Sequence, residues 1–234
     1  MAHLAHYREA HPLPFRITHW VNLISMILLI VTGFCIHFPF WPEFMGIARG
    51  VHIFLGFVIA INAVVRVILA FFVKSSPYGG SREMDLDVKG WLPQSDNKHQ
   101  LIEWIKYYLF LRKTHPLSAK LGVPQKLRYL AVAPLLLFMF FTGLCLWSPT
   151  ANLPFFADAV NLFGGAMSMR IVHYFMMYLF ICFTLLHAYL ANIEGLALTN
   201  LMFFGKEHGG MVYDPQKHTI VGEDHMGHDE KSHA

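Results

Sequence analysis

The chain has 234 residues, of which 55% are hydrophobic, 15% aromatic and only 14% charged, with a formal net charge of +3. A mean hydropathy of +0.43 excludes a water-soluble domain of ordinary size and identifies an integral, multi-pass membrane protein whose solvent is the lipid bilayer. The small net charge gives no reason to expect nucleic acid as a partner. The N-terminal arm, residues 1–16 (MAHLAHYREAHPLPFR), is polar, and the apolar run after it has full transmembrane length, so it does not read as a cleaved signal peptide. Four runs are long enough to span as helices: 17–37, 51–73, 126–148 and 169–192. Between the second and third lies segment 74–125. Its first half is rich in Gly, Pro and Asp and reads as loop, and its stretch 99–113 (HQLIEWIKYYLFLRK) reads as an interfacial helix. The tail, 196–234, carries His208, His218, His225, His228 and His233 and reads as largely disordered.

Lysine and arginine are unevenly distributed. The arm has Arg8 and Arg16, segment 74–125 and the start of the third span hold ten basic residues from Lys74 to Arg128, and the tail adds Lys206, Lys217 and Lys231. The first-to-second connection has Arg49 alone and the third-to-fourth Arg170 alone. The positive-inside rule therefore puts both termini and the middle segment in the cytoplasm. The expected fold is all-α, a four-helix membrane bundle occupying 17–195.

Two echoes organise the spans. The first span ends VTGFCI and the third FTGLCL; the second opens on RGVH at Arg49–His52 and the fourth on RIVH at Arg170–His173. Spans one plus two thus resemble spans three plus four. Fourteen residues after its histidine, the fourth span has His187 where the second has Arg66.

Ionisable residues inside a membrane suggest function. In the deduced orientation His19 and His187 lie at the cytoplasmic side, His52 and His173 at the outward side. Each side therefore holds two histidines from different helices at matching depth, as bis-imidazole ligation of two haems requires. Taken singly, any of them could be a buried residue bonded to a carbonyl, and histidine relays of a proton channel or transporter are a second class. Zinc would want three or four convergent ligands. Cys35, Cys145 and Cys182 are dispersed and no Cys-x-x-Cys-His occurs, so thioether attachment is not expected. His37 is the rival to His52 and lacks its arginine. Arginine three positions before a histidine shares its helix face, and a guanidinium fork suits a propionate. Arg49 and Arg170 are therefore candidates for the outward haem's propionates and Arg66 for the cytoplasmic one's, against plain snorkelling. Gly33, Gly56 and Gly143 could let a flat macrocycle approach the backbone, or simply allow close helix packing.

PxRxxHW at Pro14–Trp20, the TG of the first span, RGVH, YYLFLRK, and RxxH followed 14 residues later by HxYLA together resemble the dihaem cytochrome b subunits of respiratory membrane-bound nickel-iron hydrogenases. Formate dehydrogenase and thiosulfate reductase cytochrome b subunits are more distantly similar. The resemblance covers about residues 12–195. It implies two haem b, with His19 and His187 ligating the inner iron and His52 and His173 the outer, in the cytoplasmic membrane of a prokaryote. It implies an iron–sulfur small subunit and a catalytic large subunit on the outward face, and electron exchange with menaquinone or ubiquinone near the cytoplasmic surface. The chain would then be an electron-transfer subunit with no catalytic metal site of its own. Glu103, Tyr107 and Tyr108 are quinone candidates, with an ordinary interfacial aromatic belt as the competing reading. A bare membrane anchor is the remaining alternative.

Overall fold

A computed structural model of the chain describes residues 3–4, 11–75, 84–91, 101–111, 123–192, 196–205, 211–214 and 219–222. In chain order the elements are β1 (His3–Leu4), α1 (Leu13–His37), a 3-10 turn (Pro42–Phe44), α2 (Met45–Phe72), β2 (Lys74–Ser75), β3 (Asp85–Leu86), α3 (Asp87–Trp91), α4 (Leu101–Tyr108), α5 (Val123–Leu146), α6 (Ser148–Ala151), α7 (Pro154–Leu162), α8 (Ala166–Asn192), α9 (Ala197–Phe204), β4 (Met211–Asp214) and β5 (Thr219–Gly222). Among the described residues, α1, the stretch 42–72 and the part of α8 up to Tyr189 are long and apolar enough to cross a membrane. The apolar part of α5, Ala131–Leu146, is shorter.

Each long helix starts before the apolar run that marks it, at 13, 45, 123 and 166 rather than 17, 51, 126 and 169. An apolar run records the thickness of the hydrocarbon layer, whereas the helical ladder satisfies its own amides and need not stop at the lipid headgroups. Pro14 lies in the first turn of α1, where its missing N–H breaks no intrahelical bond. Pro134 lies inside α5, a position that membrane helices tolerate when neighbours satisfy the freed carbonyl. The short helices α6 and α7 in the third-to-fourth connection were not expected from the sequence; both carry proline at the first or second helical position, the usual start signal.

The chain divides into two compact units, one of residues 17–66 and 132–190 and the other of 1–16, 67–131 and 191–234. In the first of these, α1, α2, α5 and α8 share one core. Ile59 of α2, Leu136 of α5, and Met176 and Phe180 of α8 are buried together, with Met26 and Leu29 of α1 packed against them. The opposite faces expose large apolar side chains, among them Ile24, Ile27 and Val31 on α1 and Phe54, Ile61 and Val64 on α2. Lipid is the solvent that suits such surfaces. A polar clasp joins α1 to α2: the buried Asn62 amide donates to the Thr18 carbonyl at 2.8 Å and to Asn22 Oδ1 at 2.7 Å. Interhelical bonds of this kind contribute on average about 0.6 kcal/mol each in a membrane.

The other unit has small local elements. β2 and β3 pair antiparallel with Lys74 opposite Leu86. The buried Asp87 carboxylate accepts from Ser75 Oγ at 2.8 Å and Trp91 Nε1 at 3.2 Å, tying α3 to the hairpin. α4 buries Trp104 and exposes Leu101, Ile102 and Ile105; the helix stops at Tyr108, so 109–111 of the expected interfacial helix form a turn with Phe110 at a φ of 59°, while 99–100 and 112–113 lie outside the described residues. Part of the tail forms α9 and two strands in a sheet of order β1-β4-β5, with Val212 of β4 opposite Leu4 and Val221, and its five histidines lie outside the described residues. Gly205 closes α9 at a φ of 65°, and a Cβ there would stand 2.7 Å from Arg16 Nη2. The left-handed backbone conformation favours glycine, while the arginine end, being flexible, could move aside.

Candidate functional site

α2 and α8 each bring a histidine inward at the same end of the four helices. The rings of His52 and His173 face each other with centroids 6.2 Å apart and planes at 66°. Each is held from its own helix pair: Thr32 Oγ1 of α1 lies 2.9 Å from His52 Nδ1, and Thr142 Oγ1 of α5 lies 2.8 Å from His173 Nδ1. The glycine after each threonine lies beside the same ring, at ordinary van der Waals distance. A Cβ at Gly33 would come within 3.5 Å of His52 Cε1, and one at Gly143 within 3.4 Å of His173 Cε1. The TG repeat read in the sequence is thus a histidine cradle, used twice.

Beside these rings opens a cleft of about 800 Å³, counting its mouth. Its wall includes Leu29, Met139, Phe140 and Phe180, and apart from His52 and His173 the lining is apolar and aromatic. Gly56 also lines it, and a Cβ added there meets no atom within 4 Å. The lining, apolar with few convergent polar groups, is that of a cofactor pocket.

The second pair repeats the first. His19 of α1 and His187 of α8 face each other with centroids 6.3 Å apart and planes again at 66°, and His19 also meets the edge of Trp20 at 6.3 Å. His173 and His187 lie on the continuous helix α8, so 14 residues of rise set the two pairs about 21 Å apart along it.

The spacing has a simple chemical meaning. In a conjugated five-membered ring with bonds of about 1.33 Å, the nitrogen lies about 1.1 Å from the centroid. With metal–imidazole bonds of about 2.0 Å, two rings sharing one metal ion have centroids about 6.2 Å apart. Both pairs stand at that separation. Among the described residues no group of three or more His, Cys, Asp or Glu side chains gathers in the manner of a bare metal site. Two imidazoles at this separation, beside an apolar cleft, suit a metal whose remaining ligands come from a planar macrocycle.

The other expected residues fall as follows. His37, the rival to His52, stacks flat on Tyr174 at 3.7 Å, and Tyr174 shares a 2.8 Å hydroxyl contact with Tyr178. Arg49 and Arg170 are exposed and Arg66 half-buried; none of the three lines the cleft. Glu103, Tyr107 and Tyr108 lie on α4, in the unit that does not hold the histidine pairs. There Glu103 pairs with Lys106 at 3.0 Å, and both tyrosines meet the buried Trp104, at 6.3 and 5.6 Å. Sequence reasoning gave no role to Thr32, Thr142 or Asn62. Only the TG echo marked the threonines.

Three helices long and apolar enough to cross a membrane, a shorter apolar fourth and two facing histidine pairs are features of the membrane-embedded b-type cytochrome class. A family model of prokaryotic cytochrome b561 matches residues 10–205, and the chain belongs to that family. Among curated proteins it is 28% identical over 208 residues to a chain from Azotobacter vinelandii named "Probable Ni/Fe-hydrogenase B-type cytochrome subunit", covering 77% of this chain and 78% of that one. A Rhizobium leguminosarum bv. viciae protein of the same name is 25% identical over 202 residues, covering 77% and 79%. The "Probable Ni/Fe-hydrogenase 1 B-type cytochrome subunit" of Escherichia coli K12 is 28% identical over 201 residues, covering 77% and 80%.

Proposed function

We propose that this chain is the membrane-anchoring dihaem cytochrome b subunit of a respiratory nickel-iron hydrogenase, passing electrons between an outward-facing iron–sulfur subunit and the quinone pool. The observation that carries the reading is the pair of matched ring separations, 6.2 Å for His52 and His173 and 6.3 Å for His19 and His187. When bound, a b-type haem accepts and releases one electron at its iron. The chain's own residues would hold it: the imidazoles as ligands to the iron, the apolar cleft as its surround, and Gly33, Gly56 and Gly143 as the places where a flat ring could approach the backbone. Arg49, Arg170 and Arg66 are proposed for propionates, with Arg49 and Arg170 reaching back from exposed positions on the turns before His52 and His173. The names of the relatives support a hydrogenase as the partner. A formate dehydrogenase or thiosulfate-type reductase fits the same histidine pattern and would be told apart by the polypeptides that co-purify.

The orientation rests on the uneven basic residues, which argue for cytoplasmic termini and for the His19–His187 pair on the cytoplasmic side. Quinone reduction there takes up two protons with two electrons, while oxidation of hydrogen outside releases two protons, so turnover would charge the membrane. Glu103, Tyr107 and Tyr108 remain the proposed quinone contacts.

The test is direct. Full-length protein purified from membranes is expected to contain two b-type haems per chain by pyridine haemochrome against protein concentration, and protein with none overturns the reading. In a companion variant, Gly56→Leu, the new side chain meets open space at its Cβ and improves helix propensity. The variant should insert normally and fill the cleft, so haem content should fall to one per chain.

A further inference from the structure

We infer that Thr32 and Thr142 are a matched pair of positioning residues that fix the tautomer of His52 and His173, so that each imidazole carries its proton on Nδ1 and turns a bare Nε2 toward its opposite number. The inference deepens the haem reading above and rests on it.

A threonine hydroxyl has one hydrogen to donate and two lone pairs to accept with. In α1 the Thr32 hydroxyl is aimed at the carbonyl of Leu28 at 2.7 Å and that of Leu29 at 3.2 Å, and in α5 the Thr142 hydroxyl is aimed at the carbonyl of Met139 at 2.9 Å. This is the usual bond of a threonine inside a helix, and it commits the one hydrogen. Toward the histidine, 2.9 and 2.8 Å away, the oxygen then has only lone pairs to offer. The ring nitrogen must be the donor.

The proton then sits on Nδ1 and Nε2 keeps its lone pair, the form in which imidazole ligates a metal. Metal-bound histidines generally donate their other N–H to such a partner, which orients the ring and raises its basicity.

The symmetry adds a consequence. Thr32 and His52 both come from the α1–α2 pair, and Thr142 and His173 both from α5–α8, so each half of the site is oriented within its own helix pair. Loss of a hydroxyl should therefore act on one haem and spare the other. Because a hydrogen bond from Nδ1–H strengthens the imidazole as a donor to oxidised iron, its removal should raise the reduction potential of that haem.

The experiment uses full-length protein in detergent with Thr32→Val, Thr142→Val and the corresponding Thr→Ser variants. Optical redox titration should show the potential of one haem rising in each valine variant while the other stays fixed, and that haem should pass to excess apomyoglobin about tenfold faster. The serine variants keep the hydroxyl and should match the parent. If a valine variant takes up no haem, ring-nitrogen shifts of 15N-histidine in haem-free protein give the readout. The parent should show His52 and His173 protonated at Nδ1, and loss of that proton preference should follow the valine substitutions. Unchanged potentials and haem transfer in both valine variants, serine variants that shift like valine, or a parent unprotonated at Nδ1 would each overturn the inference. If His173→Ala keeps both haems, the haem reading beneath it falls as well; if His173→Ala loses one haem while the valine variants behave as the parent, only the threonine role falls.

Discussion

Alanine at His173 is expected to take one haem from the protein and leave the other. The expected measurement is a halved pyridine haemochrome yield per chain, with a residual reduced-minus-oxidised spectrum that titrates as a single component. Size of effect and selectivity both follow from the geometry. His173 faces His52 across 6.2 Å beside an apolar cleft; among the described residues these are the only histidines lining it, and His37 is stacked flat on Tyr174. Removing a supporting partner of a metal ligand already costs 10–100-fold in affinity, so loss of the ligand itself should empty the site in purified protein. The second pair lies about 21 Å further along α8 and shares no ligand with the first. The helix itself should survive, because alanine is the best helix former and His173 is not among the residues of the buried core formed around Met176 and Phe180. His37→Ala is the control and should retain both haems. Loss of both haems from a folded His173→Ala protein would contradict the pairing.

The distance between what the sequence discloses and what the structure adds can be followed along α8. Apolar composition disclosed the helix, and the echo of RGVH and RIVH disclosed that His52 and His173 occupy equivalent places in two helix pairs. The resemblance to hydrogenase cytochromes, drawn from the same motifs, agrees with membership of the prokaryotic cytochrome b561 family. What stayed illegible is the work of Thr32 and Thr142. A threonine in an apolar helix ordinarily satisfies itself on a carbonyl one turn back, and nothing in linear order says which ring will arrive 2.9 Å from its oxygen. The Asn62 clasp was hidden for the same reason, since its partners Thr18 and Asn22 are 44 and 40 residues away in sequence. α6 and α7 escaped notice because the connection between spans was judged by its length and polarity, though a proline marks the start of each. The arginines show the opposite limit. Spacing alone puts Arg49 and Arg170 on the face of their histidines, yet both side chains are exposed, and a periodicity says nothing of how far a long side chain turns outward.

His187→Ala should carry the largest functional cost. His187 and His19 form the pair proposed for the cytoplasmic side, next to the quinone. Without that pair, electrons arriving from the outward partner would have no carrier between the His52–His173 site and the membrane surface where protons are taken up. Hydrogen-dependent reduction of a quinone analogue by the intact complex is therefore expected to fall by at least about tenfold, the lower bound set by what even a supporting partner of a ligand contributes. Hydrogen oxidation with a soluble dye, which draws electrons directly from the catalytic side, should be unchanged. The contrast between the two acceptors makes the assay decisive. A chain that served only as an anchor would keep quinone reduction in the alanine variant, because α8 would still be helical and still inserted. A general assembly defect would lower both activities together. Only loss of an electron carrier on the quinone side lowers one and spares the other.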